Sequence, residues 1–265
     1  MSFNISREDL GGSTNLWGKR KDAVLNMLKV NSPAVIGLQE CSWTIREDIL
    51  AADADRRALG VSVSGQESGY TKESSNTIIY DDTVLESLNS GTFWLSSTPD
   101  VVSNTWGDAD KPRICTWAKF RTRNTVAKSF YVFNLHLESD ADIIDRSKAL
   151  KVVLDKVMTI NTENLPVIIL GDHNDKENDL LIAYQGSGFT SVRQSASITD
   201  EEPTLNGFGH DYDSDDDGID DIDTVIDHIY VKGCTANQFY VDRSRYNGRD
   251  YISDHYPVVC DLTLN

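Results

Sequence analysis

The stretch that most constrains this chain is Val167-Ile168-Ile169-Leu170-Gly171-Asp172-His173-Asn174. Four apolar residues run without alternation, and three are β-branched, which predicts a short strand buried on both faces. Gly171 then permits a sharp backbone turn. Asp172 and Asn174 follow two positions apart, so in extended backbone both side chains leave on one side, with His173 on the other. An acid and an amide thus emerge together at the rim of a hydrophobic sheet. Any buried strand meets water through polar residues, so the remaining strand ends decide what this pair means.

They repeat the pattern. Phe3 and Ile5 alternate with Ser2 and Asn4 in a first strand. Ala34 to Leu38 reads as a second buried strand delivering Gln39 and Glu40. Phe130 to Leu137 carries Asn134 and His136 on one face, between apolar neighbours. Asp227 and His228 interrupt Val225 to Val231, and Ser253-Asp254-His255 precedes a last strand over Pro257 to Leu264. Buried unpaired polar groups are costly, so acids, amides and histidines at so many strand ends point to convergence on a cation. Carboxylate and amide oxygens suit Mg²⁺ or Mn²⁺ better than zinc. Cys41, Cys115, Cys234 and Cys260 form no CxxC pair, which also argues against zinc, and reduced thiols are expected. A divalent ion with histidines nearby is equipment for phosphate-ester hydrolysis.

Between these strands, the spacing of Trp17, Val24, Met27 and Leu28 predicts a helix from Trp17 to Val30, closed by Asn31-Ser32-Pro33. Residues 7–16 read as a loop. Ser42 is placed to cap a helix running to about Leu59. Thr77 to Tyr80 and Val84 to Trp94 look like a strand pair across the Asp81-Asp82 turn. Ile114 to Phe120 is a further strand. Helices are expected over Ile143–Met158 and Glu177–Gln185. Residues 64–75 and the stretch from Pro99 to Pro112, which contains Trp106, are irregular. No linker or repeat divides the 265 residues, so one domain, 1–265, is expected. Strands dominate both halves with helices between some of them. The fold class is therefore α/β (α+β), a four-layer α/β/β/α sandwich of two mixed sheets with helices outside.

The pieces Phe3-Asn4-Ile5, Ile36-Gly37-Leu38-Gln39-Glu40, Asn134-Leu135-His136-Leu137, Gly171-Asp172-His173-Asn174, Ile226-Asp227-His228-Ile229 and Ser253-Asp254-His255-Tyr256-Pro257-Val258 occur in this order over nearly the whole chain. In this they resemble the endonuclease/exonuclease/phosphatase superfamily of DNase I-like metal-dependent phosphohydrolases. The stretches Gly91 to Ser96 and Pro112 to Ala118 look like a bacterial branch related to deadenylase-like hydrolases. The resemblance implies Glu40 as principal metal ligand, with Asn4 beside it and Asp254 completing the shell. It implies that Asp172 orients or deprotonates the attacking water and that Asn174 holds the water or the phosphate. His255 would bind the scissile phosphate with its ring fixed by Asp227, and His136 would stabilise the phosphate or help the leaving group. Arg113 would grip the phosphate bidentately, although a structural ion pair is an equally ordinary use of an arginine. Glu73 is a loose match for a residue orienting His136. Two positions depart from the family pattern. His173 stands where an aromatic is usual, which suggests a supporting or surface role, and Leu135 stands where Thr is common. His228 reads more simply as packing than as a ligand.

Residues about 210–224 form an aspartate-rich insertion. Asp213, Asp215, Asp217, Ile219 and Asp221 follow the start of a calcium loop, but Thr224 stands where the closing acid belongs. A structural Ca²⁺ and a simple acidic loop are both open. Titration of Ca²⁺ into protein lacking residues 211–221 separates them. Nine aspartates between Asp211 and Asp227 supply about half of the formal net charge of −17. That charge disfavours long duplexes but not a single-stranded nucleic acid, a nucleotide or a small phosphorylated molecule. No apolar run reaches the roughly 18–20 residues of a membrane span. The compartment is open, with export expected if a leader precedes Met1. No protein partner is indicated. The sequence thus predicts a Mg²⁺- or Mn²⁺-dependent phosphodiesterase using water directly. A phosphomonoesterase or lipid phosphodiesterase (inositol-phosphatase-like or sphingomyelinase-like) is the alternative, and an idle calcium-stabilised binding module is a third reading.

Overall fold

A computed structural model describes residues 1–60, 75–106, 112–139, 141–184, 186–210 and 224–265. Glu73 and the aspartates of the insertion from Asp213 to Asp221 lie outside the described residues. Twelve strands and six α-helices are described. The strands are β1 (Ser2–Asn4), β2 (Val35–Cys41), β3 (Arg56–Leu59), β4 (Ser75–Asp81), β5 (Leu85–Trp94), β6 (Ile114–Thr122), β7 (Ser129–His136), β8 (Val167–Asp172), β9 (Thr190–Ser191), β10 (Asp227–Lys232), β11 (Cys234–Val241) and β12 (Val258–Leu264). The helices are α1 (Gly12–Asn15), α2 (Trp17–Asn31), α3 (Trp43–Ala52), α4 (Ile143–Ile160), α5 (Glu177–Tyr184) and α6 (Val192–Ser195).

The strands form two six-stranded sheets, ordered β11-β12-β1-β2-β4-β3 and β5-β6-β7-β8-β10-β9. Each has one parallel pair at its centre, β1 with β2 and β7 with β8, in an otherwise antiparallel sheet. The expected mixed sandwich is what is found.

Alternation along the strands sorts the core into three clusters, which define four layers. Ile78, Phe130, Val132, Ile168, Leu170, Ile229 and Val258 meet between the sheets. Phe3, Leu38 and Ile79 face outward against Val24, Met27 and Leu28 of α2 and Ile45 and Ile49 of α3. Tyr131, Phe133, Val167 and Ile169 face the other way, against Leu150 and Val153 of α4 and Leu180 and Tyr184 of α5. Ser42 caps α3 by accepting from the Ile45 amide at 3.3 Å, as its position predicts. No helix among the described residues is long and apolar enough to cross a membrane.

Several local expectations need correction. The helix expected to reach Leu59 stops at Ala52, and Arg56–Leu59 turns back as an edge strand on β4. Asp53 ends it in extended backbone, and its carboxylate then receives the Arg56 guanidinium. The strands either side of the Asp81-Asp82 turn do not pair; β4 belongs to the first sheet and β5 to the second. That turn carries the chain from one layer to the next. The loop 7–16 contains the single-turn α1, and β11 was not foreseen because its residues alternate weakly and its partner β12 lies beyond residue 257.

Candidate active site

The site is built where the central strands of both sheets end together. Register places His136 of β7 and Asp227 of β10 on either side of Asp172 of β8. Gly171 allows this close approach. Its φ is 149°, and a Cβ there would lie 2.0 Å from the Leu135 carbonyl oxygen. Across the sandwich, the Asn4 amide at the end of β1 donates to Asp172 Oδ2 at 2.9 Å. Asp172 Oδ1 accepts the Asn174 backbone N–H at 2.9 Å.

His255 closes the group. Its Nδ1 meets Asp227 Oδ2 at 2.8 Å, and its Nε2 stands 3.7 Å from Asp172 Oδ2. His136 Nε2 approaches the same oxygen at 3.5 Å. The two imidazoles differ in charge. Burial opposes a charged His255, but Asp227 and Asp172 outweigh it and raise its pKa well above the ordinary range. Burial, then Arg113 and His255, hold His136 well below that range and therefore neutral. Burial, then Asp227, push Asp172 up to about 7.

Glu40 and Asp254 lie at the same end. Glu40 sits at a bulge in β2 with φ 56°, and Oε2 accepts the Arg7 amide at 3.1 Å. Burial, then Asp254, raise its pKa above the carboxylate range. Ser253 Oγ stands 2.7 Å from the Asn4 carbonyl and 3.0 Å from Asp254 Oδ1, its one proton shared between the two acceptors. Glu40, Asn174 and Ser6 all adopt positive φ without being glycine, strain of order 1–3 kcal/mol each that clusters at this end.

These residues suit a hard cation. Ligand atoms of Asp172, Asp227 and His255 lie within 4.8 Å of one another. Asp227 Oδ1 is buried with no hydrogen-bond partner among the described residues. Buried carboxylates pushed toward protonation are what a divalent cation would relieve. Two geometric details refine the expectation. Asn4 uses Nδ2 on Asp172 and Oδ1 on the Ser6 amide, so its contacts here orient Asp172. Asp227 Oδ2 serves the His255 ring. Glu40 and Asp254, close enough for Asp254 to raise the Glu40 pKa, add two further carboxylates at this end.

Arg113 is buried and donates through Nε and Nη2 to both oxygens of Glu138, at 3.1 and 3.2 Å. That face of its fork serves the ion pair and not a phosphate. Glu138 carried no motif, so sequence reasoning missed it. Asn174 donates its side-chain amide to the Leu137 carbonyl at 2.9 Å. His173 points away from Asp172, as alternation predicts, but is fully buried; its ring meets the Gly171 carbonyl and the Tyr184 hydroxyl. His228 packs against His173 and meets the Asp175 carbonyl at 2.9 Å.

Two packed mixed sheets with acids, amides and histidines at their shared end define a class, and the chain belongs to the Endonuclease/Exonuclease/phosphatase family, whose sequence profile matches residues 1–255. It is similar to an endonuclease/exonuclease/phosphatase from Bacteroides vulgatus, with 25% identity and a TM-score of 0.85 over 100% of this chain and 97% of that one. It is also similar to the mannosyl-6-phosphatase of Bacteroides thetaiotaomicron, at 27% identity and a TM-score of 0.81, covering 99% of this chain and 98% of that one. An uncharacterised protein of Acanthamoeba polyphaga mimivirus is 25% identical over 92% of this chain and 91% of its own length.

Proposed function

We propose that this chain hydrolyses a phosphate ester by direct, single-step attack of water, assisted by Mg²⁺ or Mn²⁺. The observation that carries the reading is the triangle of Asp172, Asp227 and His255, with Asn4 donating to its central carboxylate. Glu40 and Asp254 would hold the cation, which when bound neutralises phosphoryl oxygens. Asp172 aligns the water and accepts its proton; an elevated pKa suits that task near neutral pH. His255, charged and held by Asp227, donates from Nε2 to a phosphoryl oxygen. Neutral His136 donates to the ester oxygen that leaves. Asn174 fixes the water or the phosphate from a strained, anchored position.

The sequence puts a phosphodiester first. The likeness to a mannosyl-6-phosphatase along nearly the full length of both chains favours a second reading, a phosphomonoester of a small sugar. The net charge of −17 supports small substrates over long polyanions in either case.

Purified protein is expected to hydrolyse bis-p-nitrophenyl phosphate or p-nitrophenyl phosphate with Mg²⁺ or Mn²⁺ and to stop in EDTA. Asp172→Ala and His255→Ala, folded by circular dichroism, should each lose on the order of 10²–10⁴ in rate. Unchanged rates would remove those residues from the mechanism. Phosphate release from hexose phosphates, nucleotides, oligonucleotides, inositol phosphates and phospholipid head groups then selects the substrate class.

A further inference from the structure

Arg20 lies in α2, three residues after Trp17, and is fully buried. Burying a guanidinium is costly unless every N–H finds a partner. Here all the partners are backbone carbonyls. Nε donates to Asn15, Nη1 to Ile5 and to Ile252, each at 2.7 Å, and Nη2 to Ser6 and Arg7 at 2.9 and 3.3 Å. The rings of Trp17 and Phe208 each lie 5.6 Å from the guanidinium carbon.

Apart from that of Asn15, these carbonyls belong to two segments far apart in sequence. Ile5, Ser6 and Arg7 follow Asn4 directly, and the Arg7 amide is the group that donates to Glu40. Ile252 precedes Ser253, whose hydroxyl ties Asn4 to Asp254. Phe208 brings in a third segment, since the amides of Asn206 and Gly207 both donate to the Asp254 carbonyl. An apolar side chain at this position would leave those carbonyls buried without their donor, and the segments would lose their common tie.

We infer that Arg20 is a positioning residue for the cation site: one guanidinium ties the segment that orients Glu40 to the segment that carries Asp254. The inference rests on the proposed reading of Glu40 and Asp254 as the cation's carboxylates.

The test is calorimetric titration of Mg²⁺ and of Mn²⁺ into metal-free wild type, Arg20→Met, Arg20→Lys and Phe208→Leu, with folding checked by circular dichroism. Wild type should bind. Arg20→Met should weaken binding on the order of 10–100-fold, the usual effect of removing a group that orients a metal ligand. Arg20→Lys, with three donors, should fall between, and Phe208→Leu should weaken binding less. Where Arg20→Met does not fold, the other two variants decide. Folded variants that melt earlier yet bind the ion like wild type would overturn the inference, leaving Arg20 a structural clamp. Absence of binding by wild type would instead overturn the cation reading and the inference with it.

Discussion

At the scale of single residues, neighbours in sequence take opposite tasks. Asp172 faces the site, and His173 faces α5. Burial, then His228, hold His173 well below its ordinary pKa, so the folded ring is neutral. The unfolded chain takes up that proton near pH 6.5, about the unperturbed histidine value. Below that pH the unfolded state binds more protons, so this residue's contribution is full above it and declines as the pH falls. His255 has the opposite sign, because its raised pKa favours the folded state at low pH and that contribution is lost as pH rises through the folded value. Comparing wild type with His173→Phe isolates one term. The variant leaves the Tyr184 hydroxyl without its partner and should cost about 1–2 kcal/mol at pH 8. In urea unfolding with EDTA, that gap should narrow toward pH 5. A gap that widens would mean the buried ring is charged.

At the scale of elements, the two sheets are brought together by a polar clamp rather than by apolar contact alone. Asn134 of β7 donates to the Leu38 and Thr77 carbonyls of the opposite sheet and accepts from Gln39. Periodicity put Asn134 and His136 on one face, but not that they diverge in use, one to join the sheets and the other to the site. Gly37 makes the approach possible, since a Cβ there would fall 1.9 Å from Leu170 Cδ1 and 2.9 Å from Asn134. Gly37→Ala should therefore destabilise by about 1–3 kcal/mol, because a side chain must yield. Gly171→Ala should cost more, since the obstacle is backbone and φ is 149°. It should also lower turnover by displacing Asp172. Urea midpoints and rates on p-nitrophenyl substrates check both, and a harmless Gly171→Ala would refute the close approach.

At the scale of the whole molecule, the formal charge of −17 sets how an anionic substrate arrives. Like charges slow encounter, and salt screens them, the Debye length falling from about 30 Å at 0.01 M to about 8 Å at 0.15 M. With the cation held constant, kcat/KM for a phosphorylated substrate should rise with ionic strength while kcat changes little. A fall would point to local cationic steering that outweighs the net charge.

The layers and the polar strand ends were legible because they rest on local rules. Unbroken β-branched runs mark strands buried on both faces, and polar residues at their ends mark where they stop. Asn4, Glu40, His136, Asp172, Asp227, Asp254 and His255 could be picked out that way, and they come together. Arg113 stood out only through the family resemblance, and its partner Glu138 not at all, because an ion pair across 25 residues leaves no periodic trace. Nor did the burial of Arg20, which reads locally as one more basic residue on a helix. Such facts depend on which backbone carbonyls and carboxylates the fold happens to bring within 3 Å or so of a given side chain. The sequence by itself determined the strands, their polarity and the chemistry at their ends, since these follow from period and side-chain type. Only the tertiary structure decided who touches whom, because a hydrogen bond is made in space and its range is shorter than one turn of chain.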